Sequence, residues 1–213
     1  MATLAEDLYL LASDATGRFW IDTTYLDLGL GGALLLDLVL QDRVALVDSH
    51  VAVIDPTPTG DPLLDSALAD LAAEARAHGP EHWIRHLARG ARHAVQDRLV
   101  EAGVLRRDEH KVLGIIPVHR THETDGRLHH ELVDHLHDAV VLGHQPAHET
   151  AALASLALAV GLERHLFPRS DRRAVAERMA EIAEGKWVGS AVRHAIDAVN
   201  AALGITPASG SLQ

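Results

Sequence analysis

The sequence predicts a mainly α-helical protein, a single compact helical domain with two or three β-hairpins at its surface. Three observations predict this fold class. Apolar residues recur at helical spacing along most of the 213 residues, valines alternate around turn sequences in short stretches, and no low-complexity linker divides the chain. The hydrophobic fraction of 47% is enough to build one core. We assign residues 1–205 to the domain and residues 206–213 to a flexible C-terminal tail.

The N-terminal part of the chain contains two predicted helices and a hairpin. Leu4 to Ala12 is apolar and is predicted to be helical, and Arg18 to Asp22 is a short extended piece. Leu28 to Leu40 is so apolar that it predicts a buried helix. In Arg43 to Ile54 the valines alternate around a turn at residues 48–50, which is the pattern of a β-hairpin.

Two further helices follow a rigid, proline-rich loop. Asp61 can cap a helix that has Pro62 at its first position, and the apolar spacing continues this helix from Leu63 to Ala77. Glu81 to Ala102 is a second helical region, bent at Gly90. These two helices connect the first hairpin to the second.

The C-terminal half begins with a hairpin and continues as helices. Val104 to Ile116 is predicted to be a hairpin that turns near Asp108 and Glu109, followed by a polar loop at residues 117–127. The remaining predicted helices are Arg127 to Leu142, Thr150 to Leu166, Arg172 to Glu184 and Trp187 to Leu203. We expect four of the aromatic side chains to pack in the core: Phe19, Trp83, Phe167 and Trp187.

Composition excludes several classes of protein. The chain has no cysteine, which excludes a disulfide scaffold and a cysteine nucleophile. No GxSxG, P-loop or GxGxxG motif is present. The first residues carry acidic side chains where an export signal would be basic, and the longest apolar helix, predicted at Ala151 to Leu162, is too short to span a bilayer. We therefore expect a cytoplasmic protein.

Residues 76–107 form a basic island in an acidic chain. The whole chain has a formal net charge of -11, whereas this stretch holds seven arginines against three acidic residues. If residues 81–99 are helical, Arg85, Arg89 and Arg92 lie together on one face. Three guanidinium groups on one face suit a phosphate monoester, because each offers paired donors. The alternative is a solvated face whose arginines pair with neighbouring carboxylates.

Histidine is abundant, with 16 residues in all and eight between His119 and His148. His130, Asp134 and His137 lie on one face of a predicted helix and could ligate a metal ion. The HExxH signature is incomplete, however, because Asp134 stands where the second histidine belongs. We predict no metal and no cofactor, and we interpret this segment as one whose charge changes near neutral pH.

Several segments of the chain resemble the Golgi phosphoprotein 3 family. They are LYLLASDATG, GLGGALLLDLVLQDRVAL, PTPTGDPLLDSAL, HWIRHL and DRLVEAGVLRRDEHKVLGI, together with the last Ala-rich helices. The resemblance extends from Leu4 to Leu203. It implies a mainly α-helical domain with surface hairpins, and a peripheral membrane protein. Eukaryotic members bind the headgroup of phosphatidylinositol 4-phosphate and retain glycosyltransferase tails in the Golgi.

The resemblance also implies which residues bind the headgroup. The family's pocket uses a tryptophan and several arginines. Arg89 and Arg92 match two of those arginines, counted back from LVEAGVL, and Arg85 is their neighbour. Trp20 matches the tryptophan with a gap of two residues, and Gly31 replaces a third family arginine. The chain begins too close to the domain to carry the basic N-terminal tail of the eukaryotic members.

Together these observations predict a non-catalytic, bacterial adaptor at the cytoplasmic face of a membrane. The expected partners are an anionic phospholipid or phosphoinositide headgroup, the membrane surface and the cytosolic tails of membrane enzymes. Two alternatives stay open: a helix-plus-hairpin module that binds nucleic acid, and a scaffold that binds only proteins. An acidic surface disfavours nucleic acid, and the second hairpin mixes Arg106 and Arg107 with Asp108 and Glu109.

Overall fold

The computed structural model describes residues 2–112 and 116–183. In these ranges the chain forms nine helices and two antiparallel two-stranded sheets, which confirms the predicted mainly α fold. The elements are, in chain order, α1 (Leu4–Ala12), α2 (Thr23–Leu40), β1 (Val44–Val47), β2 (His50–Val53), α3 (Pro62–Ala73), α4 (Pro80–Leu87), α5 (Ala91–Glu101), β3 (Leu105–Val112), β4 (Ile116–Glu123), α6 (Arg127–Val140), α7 (His148–Val160), α8 (Glu163–Leu166) and α9 (Arg172–Ile182).

Helix α2 is the centre of the core. It contacts α1, α3, α4, α5 and α7, and its side chains Leu26, Leu30, Leu35 and Leu38 are fully buried. The predicted helix at Leu28 to Leu40 is therefore confirmed, although it begins earlier, where Asp22 caps it by accepting a hydrogen bond from the Thr24 backbone N–H.

The expectation that no apolar helix reaches the length of a membrane span is wrong for α2. By length and composition, Thr23–Leu40 is the one helix within residues 2–112 and 116–183 that could cross a bilayer. Two thirds of it is buried inside the fold, where it packs against five other helices. The apolar side chains of α2 therefore form part of the protein core.

Glycines let α4 approach α2 closely. A Cβ atom added to Gly31 would lie 2.4 Å from the carbonyl oxygen of Ile84 and 2.8 Å from the backbone nitrogen of Ala88. These two backbone groups are hydrogen-bonded to each other within α4, so they cannot move aside independently. Any side chain at position 31 would push α4 away from the core.

A buried carboxylate ties the start of α1 to α2. Asp37 of α2 accepts the backbone N–H of Leu4 at 3.0 and 3.2 Å, next to the capping box that Thr3 and Glu6 form. Burial raises the pKa of Asp37 to about 7. Burial and the neighbouring Glu6 raise the pKa of Asp7 to about 6. The polar contact between α1 and α2 therefore becomes less favourable when Asp37 loses its proton.

The two hairpins differ in how well the sequence predicts them. The first is confirmed: β1 pairs with β2 from Val44↔Val53 to Val47↔His50, and Asp48 and Ser49 adopt the positive φ angles of a two-residue turn. The second is longer than predicted. Strands β3 and β4 pair from Leu105↔Glu123 to Val112↔Ile116, so the predicted turn near residues 108–109 and the predicted loop at residues 117–127 are wrong.

Left-handed glycines divide two helices that the sequence predicts as continuous. Gly90, at φ +80°, separates α4 from α5, and Gly161, also at +80°, ends α7 before the short α8. Asp61 and Pro62 begin α3 as predicted, but this helix ends at Ala73. The predicted helix from Trp187 to Leu203 and the predicted tail at residues 206–213 lie outside the described residues.

We expect Gly31→Ala to lower the free energy of unfolding by about 2 kcal/mol, because backbone atoms leave no room for the methyl group. Gly29→Ala is the control in the same helix. Its added Cβ would meet side-chain carbons of Val160 at 2.7 Å and Leu8 at 3.0 Å, which can rotate, so its loss should be smaller. Urea denaturation of both variants measures the difference. Equal stability of the two would contradict the close α2–α4 contact.

We expect Asp37→Asn to stabilise the protein above about pH 8 and to have little effect below about pH 4. The pKa of Asp37 is raised from its ordinary value of 3.8 to about 7 in the folded protein. The protonated carboxyl group therefore stabilises the fold at low pH, and this stabilisation is lost as the pH rises from 3.8 through about 7. Asparagine keeps an oxygen for the Leu4 N–H and carries no charge. Each unit of pKa difference corresponds to about 1.4 kcal/mol.

Asp65→Asn is the control with the opposite sign. The hydroxyl and backbone N–H of Thr59 both donate to Asp65 and lower its pKa, so this variant should be destabilised at neutral pH and approach the wild type in acid. Urea denaturation at a series of pH values measures both. An Asp37→Asn variant that is less stable at every pH would contradict the cost of burying this carboxylate.

Candidate functional site

Helix α4 and the short connection after it present two arginines to solvent. It begins with Pro80 at its first position and buries Trp83, Ile84 and Leu87 against the core. Arg85 and Arg89 are both exposed, and in the described part of the chain neither has an ion pair or a side-chain hydrogen bond. These two guanidinium groups are therefore available to an external anion.

Arg92 has a partner inside the protein. Its Nε donates to a carboxylate oxygen of Asp27 at 2.9 Å, and the two side chains are 26% and 32% exposed. Within the described residues no hydrogen bond uses the two terminal nitrogens of Arg92. The ion pair joins α5 to α2 and partly neutralises this arginine before any ligand arrives.

Trp20 lies in the loop before α2 and is 41% exposed. Its backbone N–H donates to the carbonyl of Ala12 at 2.9 Å, and its ring stacks on His165 with the ring centroids 5.4 Å apart. The predicted core positions of Trp83 and Phe167 are confirmed, and Phe19 is partly buried against the Tyr9 ring. Trp187 lies outside the described residues.

The predicted arrangement of three arginines on one helical face is wrong. Arg85 lies on α4, Arg89 in the connection after it and Arg92 on α5, because Gly90 breaks the helix between them. Trp20 lies just before α2, and Asp27, the partner of Arg92, lies in the first turns of that helix. Trp20 precedes Asp22, the N-cap, by two residues, and Asp27 lies about 7.5 Å farther along the axis. No direct contact joins Trp20 to any of the three arginines among the described residues.

Other arginines of the basic island hold the fold together. Arg98 bridges α1 to the start of α3 by pairing with Glu6 at 2.8 Å and with Asp61 at 2.5 Å, and the hydrogen bond that it donates to Asp61 raises the pKa of Arg98. Arg107 is paired with Asp97. The net positive charge that the sequence shows in residues 76–107 is thus partly consumed by internal ion pairs.

The histidines of α6 are engaged in local contacts. Nδ1 of His130 lies 2.5 Å from the carbonyl oxygen of Gly126, and Nδ1 of His129 lies 3.1 Å from that of Leu10. Within residues 2–112 and 116–183, no group of three or more histidine or carboxylate side chains is arranged to hold a metal ion, and this includes His130, Asp134 and His137.

A second histidine cluster, which the sequence patterns above did not single out, lies on α4 and just before it. The rings of His78 and His82 stack with their centroids 3.7 Å apart and their planes 7° from parallel. Trp83 places its ring edgewise to His78, His82 and His86. Nε2 of His86 lies 3.0 Å from a carboxylate oxygen of Asp70 on α3. The spacing of four residues between the three histidines is the signal that predicts this cluster.

Arg89 lines a cavity that is also lined by His86, one member of the histidine cluster. The cavity, of about 300 Å³, lies between α3, α4 and α5 and is lined by His86, Asp70 and Arg89 along with apolar and small side chains. One cation and one histidine–carboxylate pair therefore share the same opening. The α4 surface combines exposed arginines with titratable groups.

The sequence matches one known family over nearly its whole length. A family model described as Golgi phosphoprotein 3 (GPP34) matches residues 4–199. The matched region contains every helix described above, with the α4 arginines, Arg92 and Trp20. The chain belongs to the Golgi phosphoprotein 3 family.

Proposed function

We propose that the protein is a peripheral membrane adaptor that binds an anionic, phosphorylated lipid headgroup similar to phosphatidylinositol 4-phosphate and performs no catalysis. It acts in bacterial cytoplasm, at the cytoplasmic face of a membrane. The observation that carries this proposal is the pair of exposed arginines formed by Arg85 on α4 and Arg89 in the connection after it, which have no internal partner among the described residues. Membership of the Golgi phosphoprotein 3 family supports the same class of function.

Arg89 is the principal phosphate contact in this proposal, with Arg85 beside it. A guanidinium group donates two parallel hydrogen bonds to phosphate oxygens. Each basic residue close to an anionic bilayer contributes about 1 kcal/mol of attraction. The acidic remainder of the chain opposes this attraction, since the whole chain carries a formal charge of -11. Binding should therefore be confined to a small surface and weaken as salt is added.

Arg92 joins the headgroup site through its terminal nitrogens while Asp27 holds its Nε. The carboxylate orients the guanidinium but also reduces its charge, so it lowers the affinity for phosphate. Gly31 offers no replacement for the third arginine of the family pocket, because α4 backbone occupies the space of any side chain. We therefore expect this protein to discriminate less among anionic lipids than a family member whose pocket has the third arginine.

Trp20 supports binding at the membrane interface. Its ring is 41% exposed and lies on the ring of His165, so the indole is held at the surface. An amphipathic indole is favoured at the level of the lipid headgroups. In this role Trp20 anchors the start of α2, the helix whose Asp27 positions Arg92.

The adaptor role also requires a protein partner, for which we propose the cytosolic tails of membrane enzymes. The nucleic-acid alternative is less well supported, because Arg98 and Arg107 are engaged with Glu6, Asp61 and Asp97. A continuous basic stripe, which a nucleic-acid reader needs, is thereby interrupted. A scaffold that binds only proteins would show no preference for charged vesicles.

We expect Arg85→Gln/Arg89→Gln to weaken binding to vesicles containing phosphatidylinositol 4-phosphate by roughly tenfold or more, since two attractive charges are lost. Co-sedimentation at low and high salt measures this effect. Arg127→Gln/Arg173→Gln is the matched control, which removes two exposed arginines from α6 and α9. If both pairs of substitutions reduce binding equally, or if neutral vesicles bind as well, the proposed site is wrong.

Asp27→Asn should strengthen binding to the same vesicles severalfold, because it releases the charge of Arg92 while keeping a side-chain oxygen for its Nε. Asp134→Asn, an exposed carboxylate on α6, controls for the loss of one negative charge. Adding Arg92→Gln to Asp27→Asn should cancel the gain. A gain that persists without Arg92 would exclude this arginine from the headgroup site.

A further inference from the structure

The histidine cluster beside the proposed lipid site contains two closely stacked imidazole rings. His78 and His82 stack with ring centroids 3.7 Å apart, and two charged imidazolium rings at this distance would repel each other. Burial, followed by His78 and His86, lowers the pKa of His82. His82 is therefore harder to protonate than an isolated, exposed imidazole.

The groups around these histidines leave the surface close to electrically neutral. Asp70 and Glu74 lie next to the cluster on α3 and just after it. Asp48 and His50 belong to the neighbouring first hairpin, in which the Val51 N–H donates a hydrogen bond to the carbonyl of His78. On α2, Asp27 is held by Arg92. Three cations belong to this surface: Arg76, Arg85 and Arg89. Four carboxylates oppose them: Asp48, Asp70, Glu74 and Glu81. The net charge with neutral histidines is therefore -1.

Protonation reverses the sign of this surface. Adding one charge to each of His50, His78, His82 and His86 changes the net charge from -1 to +3. An anionic membrane would offset the repulsion between the rings of His78 and His82. Binding and proton uptake are consequently linked, and each favours the other.

We propose that the His78, His82 and His86 cluster makes membrane binding through α4 proton-dependent, so that the protein binds anionic bilayers more tightly in mildly acidic than in neutral conditions. This inference rests on the proposed membrane function and adds its regulation. The histidines adjoin the arginines directly, since His86 and Arg89 line the same cavity and His82 and His86 lie on the helix that carries Arg85. A phosphate that approaches Arg89 therefore meets the histidine charges too.

The test uses vesicles of phosphatidylcholine mixed with phosphatidylglycerol, whose phosphodiester keeps its single charge across this pH range. We expect the wild type to bind roughly tenfold more tightly at about pH 5.5 than at about pH 7.5. Each added positive charge at the surface raises the affinity about fivefold, and the histidines are only partly protonated at the lower pH. His78→Gln/His82→Gln/His86→Gln should remove most of this difference and leave binding at the higher pH unchanged.

The control must account for the other histidines, because all 16 gain charge on acidification. His130→Gln/His135→Gln/His137→Gln removes three imidazoles from α6, which packs against α1, α7 and α9, and should keep the full pH difference. An undiminished pH difference in the α4 variant would overturn the inference, as would equal binding of the wild type at both pH values. The second result would leave the proposed membrane function intact.

Titration of the wild-type imidazoles by NMR keeps the inference testable if the α4 variant does not fold. The pKa values of His78, His82 and His86 should rise when these vesicles are added, and should not rise with vesicles of phosphatidylcholine alone. Unchanged values in the presence of bound anionic vesicles would overturn the inference. Absence of binding to every anionic vesicle at both pH values would overturn the proposed function, and the inference with it.

Discussion

The close contact between α2 and α4 is the constraint on which the rest of the structure depends. Helix α2 is apolar around most of its circumference, and five helices pack on it. At Gly31 the backbone of α4 lies where a side chain would otherwise be. This contact sets the depth of α4 in the fold, buries Trp83 and Ile84, and leaves Arg85 on the outer side. Arg85 is therefore exposed at a place where the missing side chain of Gly31 lets α4 lie close to the core.

Some arginines form ion pairs that join parts of the fold, whereas others are exposed at the surface. Arg98 bridges two carboxylates and so joins three separate segments, and Arg92 ties α5 to α2. Paired and half-buried, these arginines contribute mainly to the arrangement of the helices. Arg85 and Arg89 have no such partner among the described residues, so in the proposed function a phosphate would bind them without breaking an internal ion pair.

An acidic protein that binds an acidic surface must limit its contact area. The proposed site satisfies this requirement, because it places two arginines, one paired arginine and one indole within a few turns of α2 and α4. The neighbouring histidines add a charge that depends on conditions. In the proposed pH dependence, a bound anion would favour protonation of these stacked rings and so make the surface more positive.

The sequence by itself determined the class of the fold, the position of most elements and the family. Apolar periodicity predicts α1, α2 and the first hairpin, and Asp61 with Pro62 predicts the start of α3. These features can be predicted because helix caps and apolar patterns involve residues that are close together in the sequence. Only the tertiary structure decided which charged residues are available. Gly90 looks like a bend in a helix, yet its left-handed conformation separates the three arginines. The pairing of Arg92 with Asp27 joins residues 65 positions apart, and a local pattern carries no information about such a contact.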